Sequence, residues 1–288
     1  MEYILASIFF YALNNLLWKK ILFESNMWLI MSLRAFMTFS IGLLIIFFFY
    51  RNIFNELTIE TILKVSLASI VGALGLVFMT SALKLGSLRQ LGLFNLAGVF
   101  FTVTYLYLFE NFDLRYYMLG TSLILLGFAV YLMQIKKELG KENSFRQLML
   151  FTLMTIFFSA SGLLHWHNLK QSISPIFSLV NQEFIVFSVS IFGLVTRTSY
   201  TRKQLIVSSM SIYKLVSVMA LLIFMAVWAG FLGLKITNPY VTSLLALSTP
   251  VLTIVFGALF YKEKWSLSNL IALALIISGA FMLHFNLN

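Results

Sequence analysis

Residues 248–286 read STPVLTIVFGALFYKEKWSLSNLIALALIISGAFMLHFN: two apolar segments joined by a short charged turn. Pro250 interrupts the first, and the second carries small residues at Ala272 and Gly279, seven positions apart. The same layout occurs from Asn95 to Met133, where Glu110 stands for Glu263, and Gly120 and Gly127 stand for Ala272 and Gly279. Both segments are too apolar for soluble helices, and their recurrence points to a duplicated chain.

Composition agrees with that class. Of 288 residues, 60% are hydrophobic and 10% charged, too few polar groups to cover a soluble domain of this length. An integral membrane protein is expected, with the lipid bilayer as its surroundings. Cysteine is absent, which excludes disulfides, thiolate nucleophiles and cysteine metal sites. The net charge of +10 sits mainly in short loops between apolar runs, where it sets orientation and does not imply nucleic acid.

A membrane span needs about 20 mostly apolar residues. Ten runs meet that length: 3–20, 28–49, 62–83, 88–109, 115–135, 146–167, 176–196, 208–234, 239–260 and 266–285. The expected fold is an all-α integral membrane protein of ten transmembrane helices, built as two inverted five-helix repeats over residues 1–138 and 139–288. The first run lacks a basic leader and a small-residue cleavage site and reads as a retained helix. Ser174–Pro175 and Asn238–Pro239 are cap and first-turn pairs that start the seventh and ninth helices.

Odd-numbered loops hold Lys19, Lys20, Lys84, Arg89, Lys136, Lys137, Lys141, Arg146, Arg197, Arg202, Lys203, Lys262 and Lys264. Even-numbered loops hold only Arg51, Arg115, Lys170 and Lys235. The positive-inside rule therefore places the odd loops in the cytoplasm and both termini outside. The repeat recurs at other points. Tyr11, Asn14 and Trp18 align with Ser159, Gly162 and Trp166, and Phe36, Phe39 and Ser40 align with Phe184, Phe187 and Ser188. An odd number of spans per half forces the second half to sit inverted, the construction of many secondary transporters.

Ten spans in two halves, each closing with a helix, a turn opened by Glu110 or Glu263, and a helix with paired small residues, resemble the drug/metabolite transporter (DMT) superfamily, specifically its EamA family permeases. Ser248, Thr249 and Pro250, followed by Glu263 and Gly279, carry the likeness in the second half. The first half departs from it with Ala97 where the second has Pro250. The resemblance implies a metabolite or drug permease of the bacterial inner membrane; some members export amino acids and others exchange nucleotide sugars or phosphorylated sugars.

Polar side chains within spans are costly and should face a cavity or a partner helix. Asn14 and Asn15 lie roughly 16 Å into the first span, and with Tyr11 and Trp18 they form one polar, aromatic face, either an interhelical contact or a cavity wall. Asn95 and the Ser248–Thr249 pair occupy matching positions near mid-depth. Pro250 removes an N–H and deprives the carbonyl of Ala246 of its helical partner, leaving a kink or a free acceptor.

Glu183, about 12 Å into its span, is the sharpest polar position. It reads as a proton-coupling acid, a ligand for a cationic substrate group, a structural partner of Arg34 or part of a solvated helix end. The backbones of Glu183 and Arg34 differ by roughly 8 Å in expected depth. His165 and His167, at i and i+2 around Trp166, cannot share a metal on one helix face and read as interfacial. Gly72, Gly75, Ala226, Gly230 and Gly233 read as helix-packing positions.

No HExxH, GxSxG or intraspan Asp is present, so no enzyme is expected, nor a cofactor or metal. The absence of basic clusters at mid-depth disfavours strongly anionic substrates. The expected function is alternating-access transport, as an exporter, of a small metabolite: an amino acid or another neutral, zwitterionic or aromatic compound. The competing class is a non-transporting scaffold or accessory subunit. The remaining partners are that substrate and, if Glu183 couples transport, protons, in a monomer or homodimer.

Overall fold

The computed structural model describes residues 1–21, 26–85, 88–135, 145–196, 210–261 and 267–285. Their helices follow the expected runs closely: α1 (Glu2–Ile21), α2 (Met27–Phe49), the single turn α3 (Ile53–Glu56), α4 (Ile59–Leu83), α5 (Leu88–Phe109), α6 (Met118–Ile135), α7 (Phe145–Lys170), α8 (Pro175–Thr196), α9 (Met210–Ile236), α10 (Pro239–Ala246), α11 (Ser248–Tyr261) and α12 (Leu267–Phe285). Pro175 and Pro239 begin helices as anticipated, and the Asn238 side chain accepts the Val241 amide at 2.9 Å. Asn26 and Thr58 cap α2 and α4 in the same way. The run at 239–260 is two helices separated at Leu247, three residues before Pro250.

Among the described residues, seven segments are long and apolar enough to cross a membrane: Met27–Phe49, Ile59–Leu83, Arg115–Met133, Phe145–Lys170, Pro175–Thr196, Ile212–Ile236 and Pro239–Phe260. The chain is thus a helical, multi-pass membrane protein whose outward faces present Phe48, Phe100 and Phe281 to lipid. Shorter apolar stretches, Phe94–Phe109 and Leu270–Phe285, belong to α5 and α12. Helix α1 is not among these segments, and its Tyr11, Asn14 and Asn15 line the interior cavity described below.

The helices pack in pairs with readable directions. Phe36 meets Phe187 and Phe39 meets Phe184, with ring centroids 5.5 and 5.6 Å apart and both ring pairs inclined at 45°, so α2 and α8 run antiparallel. A Cβ built on Gly120 would stand 2.9 Å from the Gly279 carbonyl oxygen, and one on Gly127 would stand 2.7 Å from that of Ala272, so α6 and α12 are also antiparallel. Exchanging the aligned positions of the two halves turns each of these contacts into the other of its pair. Helix α4 packs antiparallel on α7, where Ser161 donates to the Ala68 carbonyl at 2.8 Å and Asn168 to that of Lys64 at 3.2 Å. Its counterpart is α1 on α9, with Gly233 against Ile4 and Gly230 against Ser7. Helices α5 and α7 run parallel, since Thr155 donates to the Phe94 carbonyl and Tyr105 reaches His167.

Gly279 and Gly120 bring α6 and α12 together backbone to backbone. Gly279→Val would drive a side chain into the Gly120 carbonyl, 2.7 Å from a built Cβ. Overpacking of this kind costs about 1–3 kcal/mol. Thermal unfolding in detergent should show a clear fall in Tm for this variant, and an unchanged Tm would mean that the two helices do not pack this closely.

Buried apolar side chains form two clusters, and the long helices share them end by end. The first takes Ile4 and Ile8 of α1, Ile46 of α2, Leu163 and Trp166 of α7, Ile176 and Leu179 of α8, and Phe231 and Leu234 of α9. The second takes the opposite ends: Trp18 and Ile21, Met27 to Ala35, Phe151 and Met154, Val186, and Ile212 to Met219. Eight of the basic residues used for orientation, Lys136, Lys137, Lys141, Arg197, Arg202, Lys203, Lys262 and Lys264, lie outside the described residues, as does Glu263. The side chains of Lys19, Lys20 and Arg89 lie outside them too.

Candidate functional site

A cavity of about 420 Å³ lies between the two clusters, bordered by Trp18 and Met154 of one and by Leu163 and Phe231 of the other. A volume in this range suits a small-molecule ligand. First-half helices α1, α2, α4 and α5 line it together with second-half helices α7 to α11, while α6 and α12 contribute nothing to its wall.

The predicted α1 face lies on this wall: Tyr11, Asn14, Asn15 and Trp18 all line the cavity. Asn95 lines it from α5 and Thr249 from α11. Ser248 and Pro250 do not. Ser248 is buried and donates to the Leu245 carbonyl, and Pro250 is buried as well. The reason is helical geometry: Thr242, Ala246 and Thr249 share a face at i, i+4 and i+7, which turns the immediate neighbours of Thr249 away. Ser159 and Gly162, the repeat partners of Tyr11 and Asn14, line the opposite wall, whereas Trp166 packs in the apolar cluster with Lys170 over its ring.

Arg34 and Glu183 both border the cavity, with Nη1 and Oε2 3.0 Å apart and side chains 2% and 1% exposed. The register of α2 against α8 sets Arg34 level with residues beyond Phe187, so the long arginine stem covers the expected depth difference. The pair joins the first half to the second through α2 and α8. In the sequence alignment of the two halves the corresponding positions are Gln182 and Ala35, so the pair itself does not recur.

His165 is a correction to the sequence reading. It is 2% exposed, lies on the cavity wall with its ring 4.6 Å from that of Phe231, and has no hydrogen-bond partner on either ring nitrogen among the described residues. Helix α7 runs to Lys170, three residues past its expected end, which carries His165 inward from the interface. His167 stays near the helix end, 2.9 Å from the Tyr105 hydroxyl and 3.7 Å from Glu110. The Asn14 amide oxygen and the Arg34 Nε likewise lack partners among the described residues. Buried polar atoms left unpaired are expensive and mark where a ligand or water supplies the missing bonds. The predicted packing glycines do pack, Gly72 on Ser161, Gly75 on Phe158, Gly230 on Ser7 and Gly233 on Ile4, and Gly72 also lines the cavity. No group of three or more metal-ligating side chains occurs among the described residues.

No family model and no curated protein matches the chain. Among solved structures 23 chains match, and one crystal structure of a protein superimposes with a TM-score of 0.74 at 15% identity, covering 97% of this chain and 95% of that one. Likeness at this identity shows a shared fold along nearly the whole length of both chains and nothing about activity.

Proposed function

We propose that the chain is a secondary transporter of the drug/metabolite transporter type, an EamA-like permease of ten spans in two inverted halves, residues 1–138 and 139–288. The observation that carries this reading is the cavity: both halves line it, it lies between the two apolar clusters, and unpaired buried polar atoms border it. Support for the inverted halves comes from the packing. Equivalent helices α2 and α8, and α6 and α12, run antiparallel and exchange contacts when the halves are swapped. The interrupted helix at Leu247, with Ala246 and Thr249 on the cavity wall, is the kind of break that transporters place at a substrate site. Alternating access would loosen one apolar cluster while the other stays closed, and export of a small metabolite from the bacterial inner membrane is the activity proposed.

Because the chain has no cysteine, single cysteines test both access and orientation. In sealed right-side-out and inverted vesicles, an impermeant maleimide is expected to label Ser159→Cys in the cavity from either face. Lys170→Cys should label from outside and Lys141→Cys only from the cytoplasmic face. Labelling of Ser159→Cys from neither face or from one alone would fit a scaffold and contradict alternating access.

A further inference from the structure

We infer that the cavity selects uncharged ligands carrying both a hydrogen-bond donor and an acceptor on an apolar body, and that His165 is the residue that recognises them. This rests on the transport reading for the site's role, but its physical basis is the charge and hydrogen-bond inventory of the wall. Among the described lining residues the only Lys, Arg, Asp or Glu side chains are Arg34 and Glu183, and they lie 3.0 Å from one another and compensate each other. An anion or a cation would have to draw its counter-charge out of that pair, leaving the other half buried and uncompensated. A zwitterion would have to compete, with both of its charges, against the contact the pair already makes. The cavity therefore carries no spare charge for a charged ligand.

It does carry spare hydrogen bonds. The neutral imidazole of His165 offers one donor and one acceptor, and neither ring nitrogen is engaged among the described residues. The amide oxygen of Asn14, an acceptor, and Nε of Arg34, a donor on a guanidinium already compensated by Glu183, are also unengaged among the described residues. His165 cannot satisfy itself by turning toward solvent, because it is 2% exposed and its ring lies against Phe231. A ligand with an N–H and a carbonyl, such as a carboxamide or an uncharged nitrogen heterocycle, supplies what these groups lack. The ring of Phe231 beside His165, with Gly162 one turn away and open space where its Cβ would be, leaves room for an apolar body next to that polar edge.

The test is a set of four probes sharing a benzyl body: phenylacetamide (uncharged), phenylacetate (anion), phenethylamine (cation) and phenylalanine (zwitterion). Binding to the purified full-length protein in detergent is measured by calorimetry and by ligand-dependent thermal shift. Phenylacetamide is expected to bind about tenfold or more tightly than each charged probe, a margin that each lost or uncompensated polar contact readily supplies. His165→Phe, which keeps the ring beside Phe231, should weaken phenylacetamide by about tenfold, whereas His165→Gln, which keeps a donor and an acceptor, should stay within about threefold. If His165→Phe does not fold, the ratio between His165→Leu and His165→Gln serves the same purpose. A charged probe binding as tightly as phenylacetamide, no binding of phenylacetamide at millimolar concentration, or indifference to the His165 substitutions would each overturn the inference. Binding with this preference but without flux would leave it standing and remove the transport reading; flux without the preference would do the reverse.

Discussion

Arg34→Met is expected to destabilise the protein by about 3–5 kcal/mol, because it strands a carboxylate that is 1% exposed beside an apolar thioether. Glu183→Leu should be at least as costly. Arginine cannot shed its charge, whereas an unpaired carboxyl escapes part of the penalty by taking up a proton. The double variant Arg34→Met/Glu183→Leu removes both charges and should recover most of the loss, giving a large coupling in a double-mutant cycle. Thermal unfolding in detergent reads all three. Additive single effects would mean that the two groups do not depend on each other, and that Glu183 has another partner.

Gly162→Phe should abolish transport without lowering stability. Gly162 is on the cavity wall, and a Cβ there meets nothing within 4 Å, so a side chain grows into the space a ligand would occupy and not into a packed helix. Gly162→Ala is the control. It leaves most of the cavity open and should stabilise helix α7 by up to about 1 kcal/mol through helix propensity. A loss of only about 1.4 kcal/mol in ligand binding is tenfold, so a phenyl ring inside the site should reduce flux well beyond that. Retained flux in Gly162→Phe would place the substrate path elsewhere.

Much of the fold was legible because hydrophobic run length and proline caps are local signals. Pro175 and Pro239 begin helices where a missing N–H costs nothing, and the apolar runs coincide with helices to within a few residues. The aligned Phe36, Phe39, Phe184 and Phe187 meet across α2 and α8 in the order that an exchange of halves would require, which supports the proposed repeat. The α1 face was readable from the cost of putting Asn14 and Asn15 inside a span.

Other parts of the site were not readable, for reasons of geometry. The Arg34–Glu183 contact depends on the reach of a long side chain, which backbone depth alone does not measure. His165 was misplaced because its depth depends on where α7 ends, and the turn after Lys170 adds almost a helical turn to the expected span. Ser248 and Pro250 were grouped with Thr249 by adjacency in sequence, although adjacent helical residues point about 100° apart. The pairing of Ser159 and Gly162 with Tyr11 and Asn14 was the available signal for the second cavity wall, and it pointed along α7 to His165 one turn further on.

Counterflow in proteoliposomes tests the central claim most directly. Vesicles containing the purified protein are loaded with millimolar unlabelled solute and diluted into the same labelled solute, across a panel of uncharged, zwitterionic and aromatic metabolites. An alternating-access carrier predicts transient accumulation of label for at least one solute, present in Gly162→Ala and lost in Gly162→Phe at equal reconstitution. No accumulation for any solute, or accumulation that Gly162→Phe leaves intact, would contradict transport through this cavity.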